Sequence, residues 1–343
     1  MNSHTTDTPC FAGIDYHKKS LVVALGDTHG KLLGQPERIP TEPETVRRFF
    51  RRYPGLHCAI ENCRGFDWLV DLLKELGLVV HISNQYATRL IADSRCKTDK
   101  IDSRILMELL SKQFLPTCYQ PTKAEIRIKE QIRWRRQLVK ASTSVKNRAV
   151  ALVDKENKGH SISFSASGLT QIKAIELQKH RKQLISKHID LVTEFQEKID
   201  LEDLWVAKEC RNNPSVQLLK SVPGIGDLTA LTLVVELGDI ARFKRSNNVT
   251  AYLGLNPRLY SSASTRRTGS ITKKGQRELR CLLVQAAWRA IKRSSPIQER
   301  FKKIAKRRGK NVAIVAIARL LAEICFHILR SGEPFNESKL ALG

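Results

Sequence analysis

Apolar side chains follow two rhythms along this chain, and the rhythm changes near residue 120. In the first third, short apolar runs alternate with polar steps. FAGID at 11–15 and LVVALGD at 21–27 flank the polar YHKKS, which predicts two strands joined by a tight turn. A third extended piece is expected at 31–39, a helix at 44–53, a buried strand in HCAIEN at 57–62, a helix at 66–76, a strand at 79–83 and a helix at 99–112. Three strands followed by alternating helices and strands predict an α/β domain on a mixed sheet, spanning residues 1–115.

Beyond Pro121 the period becomes helical. Ile128, Ile132, Leu138, Val145, Ala149 and Leu152 mark one long helix, roughly 50 Å at ~1.5 Å per residue. A Ser-rich loop at 159–168 breaks it, and a second helical pattern runs over 169–210 through Ile172, Ile185, Ile189, Val192 and Ile199 until Asn212, Asn213 and Pro214. The pair predicts a helical hairpin or dimerising coiled coil over 120–212, with irregular heptads. Residues 213–335 predict an all-α C-terminal domain punctuated by VPGIG at 222–226, GLNP at 254–257 and a polar segment at 260–275. Its longest apolar run, 312–329, places Arg319, Glu323 and His327 on one helical face, which predicts a packed helix and no membrane span.

Charge narrows the function. The net charge is +25, with 16 basic and 14 acidic residues over 1–113 against 43 and 20 over 114–343. A near-neutral domain followed by a strongly basic region calls for a polyanionic partner. The eight cysteines form no CxxC pair, so neither a zinc ribbon nor a disulfide framework is expected, and they read as reduced thiols of a cytoplasmic protein. Residues 1–10 lack the layout of a signal peptide. GxxxxGK[ST], GxGxxG after a strand and HExxH are all absent, which argues against an ATPase or a dinucleotide enzyme.

Four carboxylates carry the candidate chemistry. Asp15 and Glu61 end predicted strands, and Asp99 and Asp102, three apart in KTDKID, share one face at a helix start. Together they suit two Mg²⁺ ions about 4 Å apart, the arrangement that clamps attacking and leaving oxygens in phosphoryl transfer. His17, His57 and His81 lie near the expected cleft and read as ordinary core or surface histidines. Further on, VPGIGDLTALTLVVELG has the form of a helix-hairpin-helix, whose Gly224 and Gly226 would let backbone N–H groups approach a phosphate. Arg258, Arg266, Arg267, Lys273, Lys274, Arg277 and Arg280 follow, and 264–310 holds 16 basic against 2 acidic residues. That density reads as a phosphate-binding surface, in which neighbouring serines ordinarily bind phosphate or solvate a loop.

The order GIDYHKKS, CAIENC, KTDKIDSR, SVPGIGDLTALTLVVELGD and GLNPRLYSSASTRRTGSITKKGQRELR resembles the DEDD-type insertion-sequence transposases, a family that includes pilin-gene DNA invertases. The resemblance implies an RNase H-like, RuvC-like first domain whose Asp15, Glu61, Asp99 and Asp102 bind Mg²⁺. It also implies a helical transposase domain with a serine nucleophile, and a composite site formed by two domains of different protomers of a dimer or tetramer. The serine would hold a DNA end as a phosphoserine ester during exchange between donor and target. A structured RNA encoded beside the gene would act as guide, and a basic hairpin suits its A-form backbone. The family's Ser-Ser-Gly element falls on Ser261, Ser262 and Ala263, which selects Ser262. Ala263 replaces the usual glycine, so Ser261 or Ser264 takes the role if that position needs a positive φ. ENCRGF also departs from relatives at Cys63 and Arg64.

Three readings therefore compete. The first is a Mg²⁺-dependent, RNA-guided transposase or recombinase acting on DNA at the nucleoid. The second is a RuvC-like nuclease that hydrolyses DNA with no covalent intermediate, and the third is a non-catalytic nucleic-acid-binding protein.

Overall fold

Strands β1 (Phe11–Tyr16), β2 (Ser20–Gly26) and β3 (Glu37–Pro40) form a meander. After it come α1 (Pro43–Phe50), β4 (His57–Glu61), α2 (Asp67–Glu75), β5 (Val79–Ser83), α3 (Gln85–Ile91) and α4 (Asp99–Ser111). The computed structural model describes residues 8–91, 98–157, 162–262 and 265–340, which divide into two units, Met1–Gln120 and Pro121–Gly343. Cys96, Ala263 and Ser264 lie outside the described residues.

The first unit is a five-stranded mixed sheet of order β3-β2-β1-β4-β5. β1, β2 and β3 pair antiparallel, whereas β4 lies parallel to both β1 and β5. Alternation along each strand assigns the two faces. Ala12 and Ile14 of β1 and Cys58 and Ile60 of β4 pack with Val46, Phe50, Leu69 and Leu73 of α1 and α2. On the opposite face Ala59 meets Leu106 and Leu110 of α4. Gly13 lies beneath α4, where a Cβ would stand 1.9 Å from the Ser103 carbonyl oxygen and 2.6 Å from the Met107 nitrogen. Only a residue without a side chain lets α4 approach β1 this closely.

Two elements of this unit differ from the expectation. The third strand is only Glu37–Pro40, with Leu32 contributing an isolated bridge to Gly26. Helix α3 has no buried residue, so no apolar periodicity announces it.

The second unit begins with α5 (Lys123–Asp154), held at its start by a capping box between Thr122 and Glu125. It is followed by α6 (Ala166–Ala174), α7 (Lys179–Arg211), α8 (Pro214–Lys220), α9 (Asp227–Leu237) and α10 (Ser246–Tyr252). The chain closes with β6 (Pro257–Ser262), β7 (Thr265–Ile271), α11 (Arg277–Ala290), α12 (Ser295–Arg308) and α13 (Lys310–Ser331). The helical pattern expected over 169–210 is two helices, because residues 175–178 leave helical geometry. α5 and α7 run antiparallel, laced by Arg127 to Glu209 (3.0 Å), Gln131 to Glu202 (2.7 Å) and Arg135 to Asp203 (2.6 and 3.0 Å). Val206 and Cys210 of α7 join a core built with Leu219, Leu231, Leu283, Ile317 and Leu321.

The C-terminal region is mostly helical but not all-α. The polar segment after GLNP forms an antiparallel pair, with Ser262 opposite Thr265 and Pro257 opposite Ile271. Pro257 cannot continue a helix, and the hydroxyl and β-branched residues that follow satisfy their backbone groups across a ladder. α13 alone among the described helices is long and apolar enough to cross a membrane, and half of its apolar window is buried within the unit. Arg319 on that helix pairs with Glu323 at 2.9 Å and donates to the Asn247 side chain at 2.9 Å, contacts that suit a core helix.

Candidate functional site

One register step beyond the Ile14–Ile60 pair, Asp15 and Glu61 stand side by side on adjacent parallel strands. Both occupy the face that α4 covers, because Gly13 and Ala59, two residues earlier, face α4. The Thr98 side chain caps α4 by accepting from the Ile101 N–H, which fixes Asp99 and Asp102 in its first turn. The close approach allowed at Gly13 brings that turn to the strand ends.

Asp15 is buried. His17 Nε2 lies 3.0 Å from Asp15 Oδ2 and 3.3 Å from Asp99 Oδ1, and potential ligand atoms of these three residues all lie within 4.8 Å of one another. Arg38, opposite Val22 on the same sheet face, donates to Asp99 Oδ2 at 2.5 Å and to Ser20 Oγ at 2.8 Å. Burial pushes the Asp15 carboxyl above its ordinary value, against the pull of His17 and with further upward pressure from Asp99 and Asp102. The Arg38 hydrogen bond holds Asp99 below the usual range. Burial, followed by the charges of Glu61, Asp15 and Asp67, pushes the Cys63 thiol up to about 11.

The structure thus gathers Asp15 and Asp99 most tightly, sets Glu61 beside Asp15 in register and brings the charge of Asp102 to bear on Asp15. A buried carboxylate crowded by other carboxylates is stabilised by a divalent cation, and carboxylate oxygens form the hard donor set such a cation takes. These residues fit a metal centre. His17, which reads from the sequence as an ordinary core or surface histidine, instead lies against two of the carboxylates, and Arg38 is not singled out by the sequence. The signal for His17 is its position two residues past Asp15, whereas Arg38 is 61 residues from its partner and carries no local signal.

In the second unit, the segment read as a helix-hairpin-helix, 222–238, holds a turn and α9, and α8 precedes it. Gly224 has φ +87°, and a Cβ there would lie 2.3 Å from the Ala286 carbonyl oxygen, so its approach to α11 explains the glycine. Gly226, the residue before α9, has no atom within 4 Å of where a Cβ would stand, and the open surface lies there. Arg258, Lys273, Lys274 and Arg277 are exposed. Arg280 has an internal role, as its Nη1 donates to the carbonyls of Leu253 (2.9 Å), Gly275 (3.1 Å) and Lys274 (3.3 Å). Ser261 and Ser262 end β6, and Arg266 and Arg267 pair with Ser261 and Tyr260 in the backbone register of β7.

Two family models match this chain. A DEDD transposase model of the IS110 group covers residues 12–157, and one described as "Transposase IS116/IS110/IS902 family" covers residues 216–303. All four carboxylates fall in the first match, and the hairpin glycines, the serines and the arginines of β7 fall in the second. Over 333 residues the chain is 27% identical to a "Probable family 20 transposase" of Pseudomonas aeruginosa, covering 92% of this chain and 96% of the relative. It is 26% identical over 342 residues to the transposase for insertion sequence element IS1328 of Yersinia enterocolitica, covering 95% and 98%. Similarity to the pilin gene-inverting protein of Moraxella bovis is 27% over 252 residues, covering 71% and 69%.

Proposed function

Because this chain belongs to the IS116/IS110/IS902 family of transposases, we propose that it cuts and rejoins DNA during movement of an insertion sequence. The observation that carries this reading is the convergence of Asp15 and Glu61, on adjacent parallel strand ends, with the first turn of α4 bearing Asp99 and Asp102. An antiparallel meander followed by two parallel strands, in the order β3-β2-β1-β4-β5, supports an RNase H-like, RuvC-like identity for the first unit.

In this reading Asp15, Glu61, Asp99 and Asp102 hold Mg²⁺. When bound, Mg²⁺ supplies charge neutralisation at a phosphodiester and lowers the pKa of a coordinated hydroxyl. Ser262 is the nucleophile. Its Oγ forms an ester to phosphorus as one deoxyribose C–O–P linkage opens, and the serine proton ends on the departing deoxyribose oxygen. One phosphoester replaces another, so the reverse step joins the held end to a new strand without an external energy source. Arg266 and Arg267, close to Ser262 in sequence, are the cations proposed to offset charge on the pentacovalent phosphorus. The basic second unit holds nucleic acid, including a structured guide RNA, and the protein works as a homo-oligomer.

The test is to express the chain with its native flanking DNA, quench cells in denaturant and seek a nucleotide-linked serine peptide by mass spectrometry. An adduct on Ser262 that disappears in Ser262→Ala and in Asp15→Ala is the expected result. Strand cleavage in the absence of any adduct would replace this mechanism with hydrolysis by a RuvC-like nuclease. Chelation of divalent cations should abolish cleavage while leaving nucleic-acid binding in place.

A further inference from the structure

Within the second unit, α5, α9 and α11 enclose a cavity of about 650 Å³, inside the size range of ligand pockets, roughly 300–1,000 Å³. Its apolar lining includes Ile132 and Val139 from α5, Leu228 and Val235 from α9, and Leu282 from α11. The rim is cationic. Arg135 is committed to Asp203, and Lys129 lies 3.7 Å from Glu236. Arg133, Lys140, Arg277 and Arg289 line the same cavity and have no acidic partner among the described residues. Of the lining acids, Glu278 is paired with Arg136 and Asp227 with Lys220 at 2.7 Å. The cavity therefore combines an apolar interior with unpaired guanidinium groups.

A planar apolar body attached to a phosphate satisfies both features. An unstacked nucleobase is such a body, and proteins hold it by apolar contact and by stacking on guanidinium planes while cations take its phosphate. We propose that this cavity receives one unpaired nucleotide of a bound nucleic-acid strand. The base enters among Ile132, Val139 and Leu282, and its phosphate lies on Arg133, Arg277 and Arg289, beside the open backbone at Gly226. The inference rests on the reading that this chain handles nucleic acid, and it adds a site that distinguishes a bulged or unpaired strand from a continuous duplex.

Cys281 provides a readout that needs no mutation, because it lines the cavity and is an exposed free thiol. The full-length protein is alkylated under chelation, with Cys281 followed by mass spectrometry and Cys10 as internal control. The probes are a DNA duplex with a single-nucleotide bulge, the same duplex with an abasic bulge, the fully paired duplex and adenosine monophosphate, together with the RNA counterparts of the three duplexes. Overall binding is measured in parallel by fluorescence polarisation.

At a bulged-duplex concentration near ten times Kd, Cys281 alkylation should slow about tenfold. The abasic and fully paired duplexes should bind while protecting Cys281 less than about twofold. Loss of the stacked base should weaken bulge binding on the order of tenfold. The double variant Arg133→Ala/Arg289→Ala should lose the preference for the bulge and keep its affinity for the paired duplex. Equal protection by all three duplexes overturns the proposal, as does protection by adenosine monophosphate alone. Tight binding with unchanged Cys281 reactivity overturns the proposal and leaves the nucleic-acid reading intact. A chain that binds none of the oligonucleotides refutes both.

Discussion

Replacing Gly13 with alanine tests whether packing between β1 and α4 sets the geometry of the carboxylate cluster. The new Cβ would stand 1.9 Å from the Ser103 carbonyl oxygen and 2.6 Å from the Met107 nitrogen. Both are backbone atoms in the middle of α4, so no rotamer change relieves the contact. Bringing it to an ordinary 3.4 Å requires α4 to withdraw by about 1.5 Å. Asp99 and Asp102 ride on that helix and Asp15 on that strand, so the same displacement separates the carboxylates. Overpacking of this kind costs about 1–3 kcal/mol, and a displacement near 1 Å costs on the order of 10²-fold in rate. The assay pairs thermal unfolding with Mn²⁺ binding by electron paramagnetic resonance and with adduct formation in cells. Gly13→Ala should fold with a melting temperature lowered by several degrees, bind Mn²⁺ at least tenfold more weakly and form no adduct. A variant that melts lower but keeps wild-type Mn²⁺ affinity would refute the argument, because α4 would then be shown to move without disturbing the cluster.

Three further expectations concern individual side chains. Asp15 has its pKa raised by burial, so its contribution to stability is full below the ordinary carboxylate range and is lost as pH rises through the elevated value. Without divalent cations, Asp15→Asn should therefore raise the melting temperature at neutral pH, with a stability gain that vanishes at acid pH, which calorimetry at the two pH values checks; with divalent cations restored the same variant should fail to cleave. Arg280→Ala removes a charged donor shared by three carbonyls and should destabilise the second unit by about 1.5–3 kcal/mol. Arg280→Lys should not rescue it, since an ammonium cannot reproduce the guanidinium geometry, and denaturant titration measures both. Gly224→Ala should unfold the protein at distinctly lower temperature, because φ is +87° and a carbonyl stands 2.3 Å from the added atom. Gly226→Ala, with nothing within 4 Å, should melt as wild type, so equal losses in the two variants would contradict the distinction.

Local pattern determined much of this protein. Alternation and apolar runs mark β1, β2, β4 and β5, because a strand buried on a sheet must place apolar side chains at fixed spacing. Thr98 before Asp99 and Thr122 before Glu125 mark helix starts because a cap acts within four residues. The four carboxylates were legible as strand-end and first-turn residues, and the charge difference between the two parts of the chain is a property of composition. Tertiary structure decided the rest. Helix α3 buries nothing, the break at 175–178 interrupts a pattern that reads as continuous, and the strands β6 and β7 rest on backbone pairing that hydroxyl-rich sequence does not advertise. Arg38 meets Asp99 across 61 residues, Gly13 is needed only because a helix crosses it, and Arg280, which reads like its basic neighbours, is spent on internal carbonyls. Spacing along a chain specifies which residues can share a face, but which faces meet, and how closely, is set by packing among segments far apart in sequence.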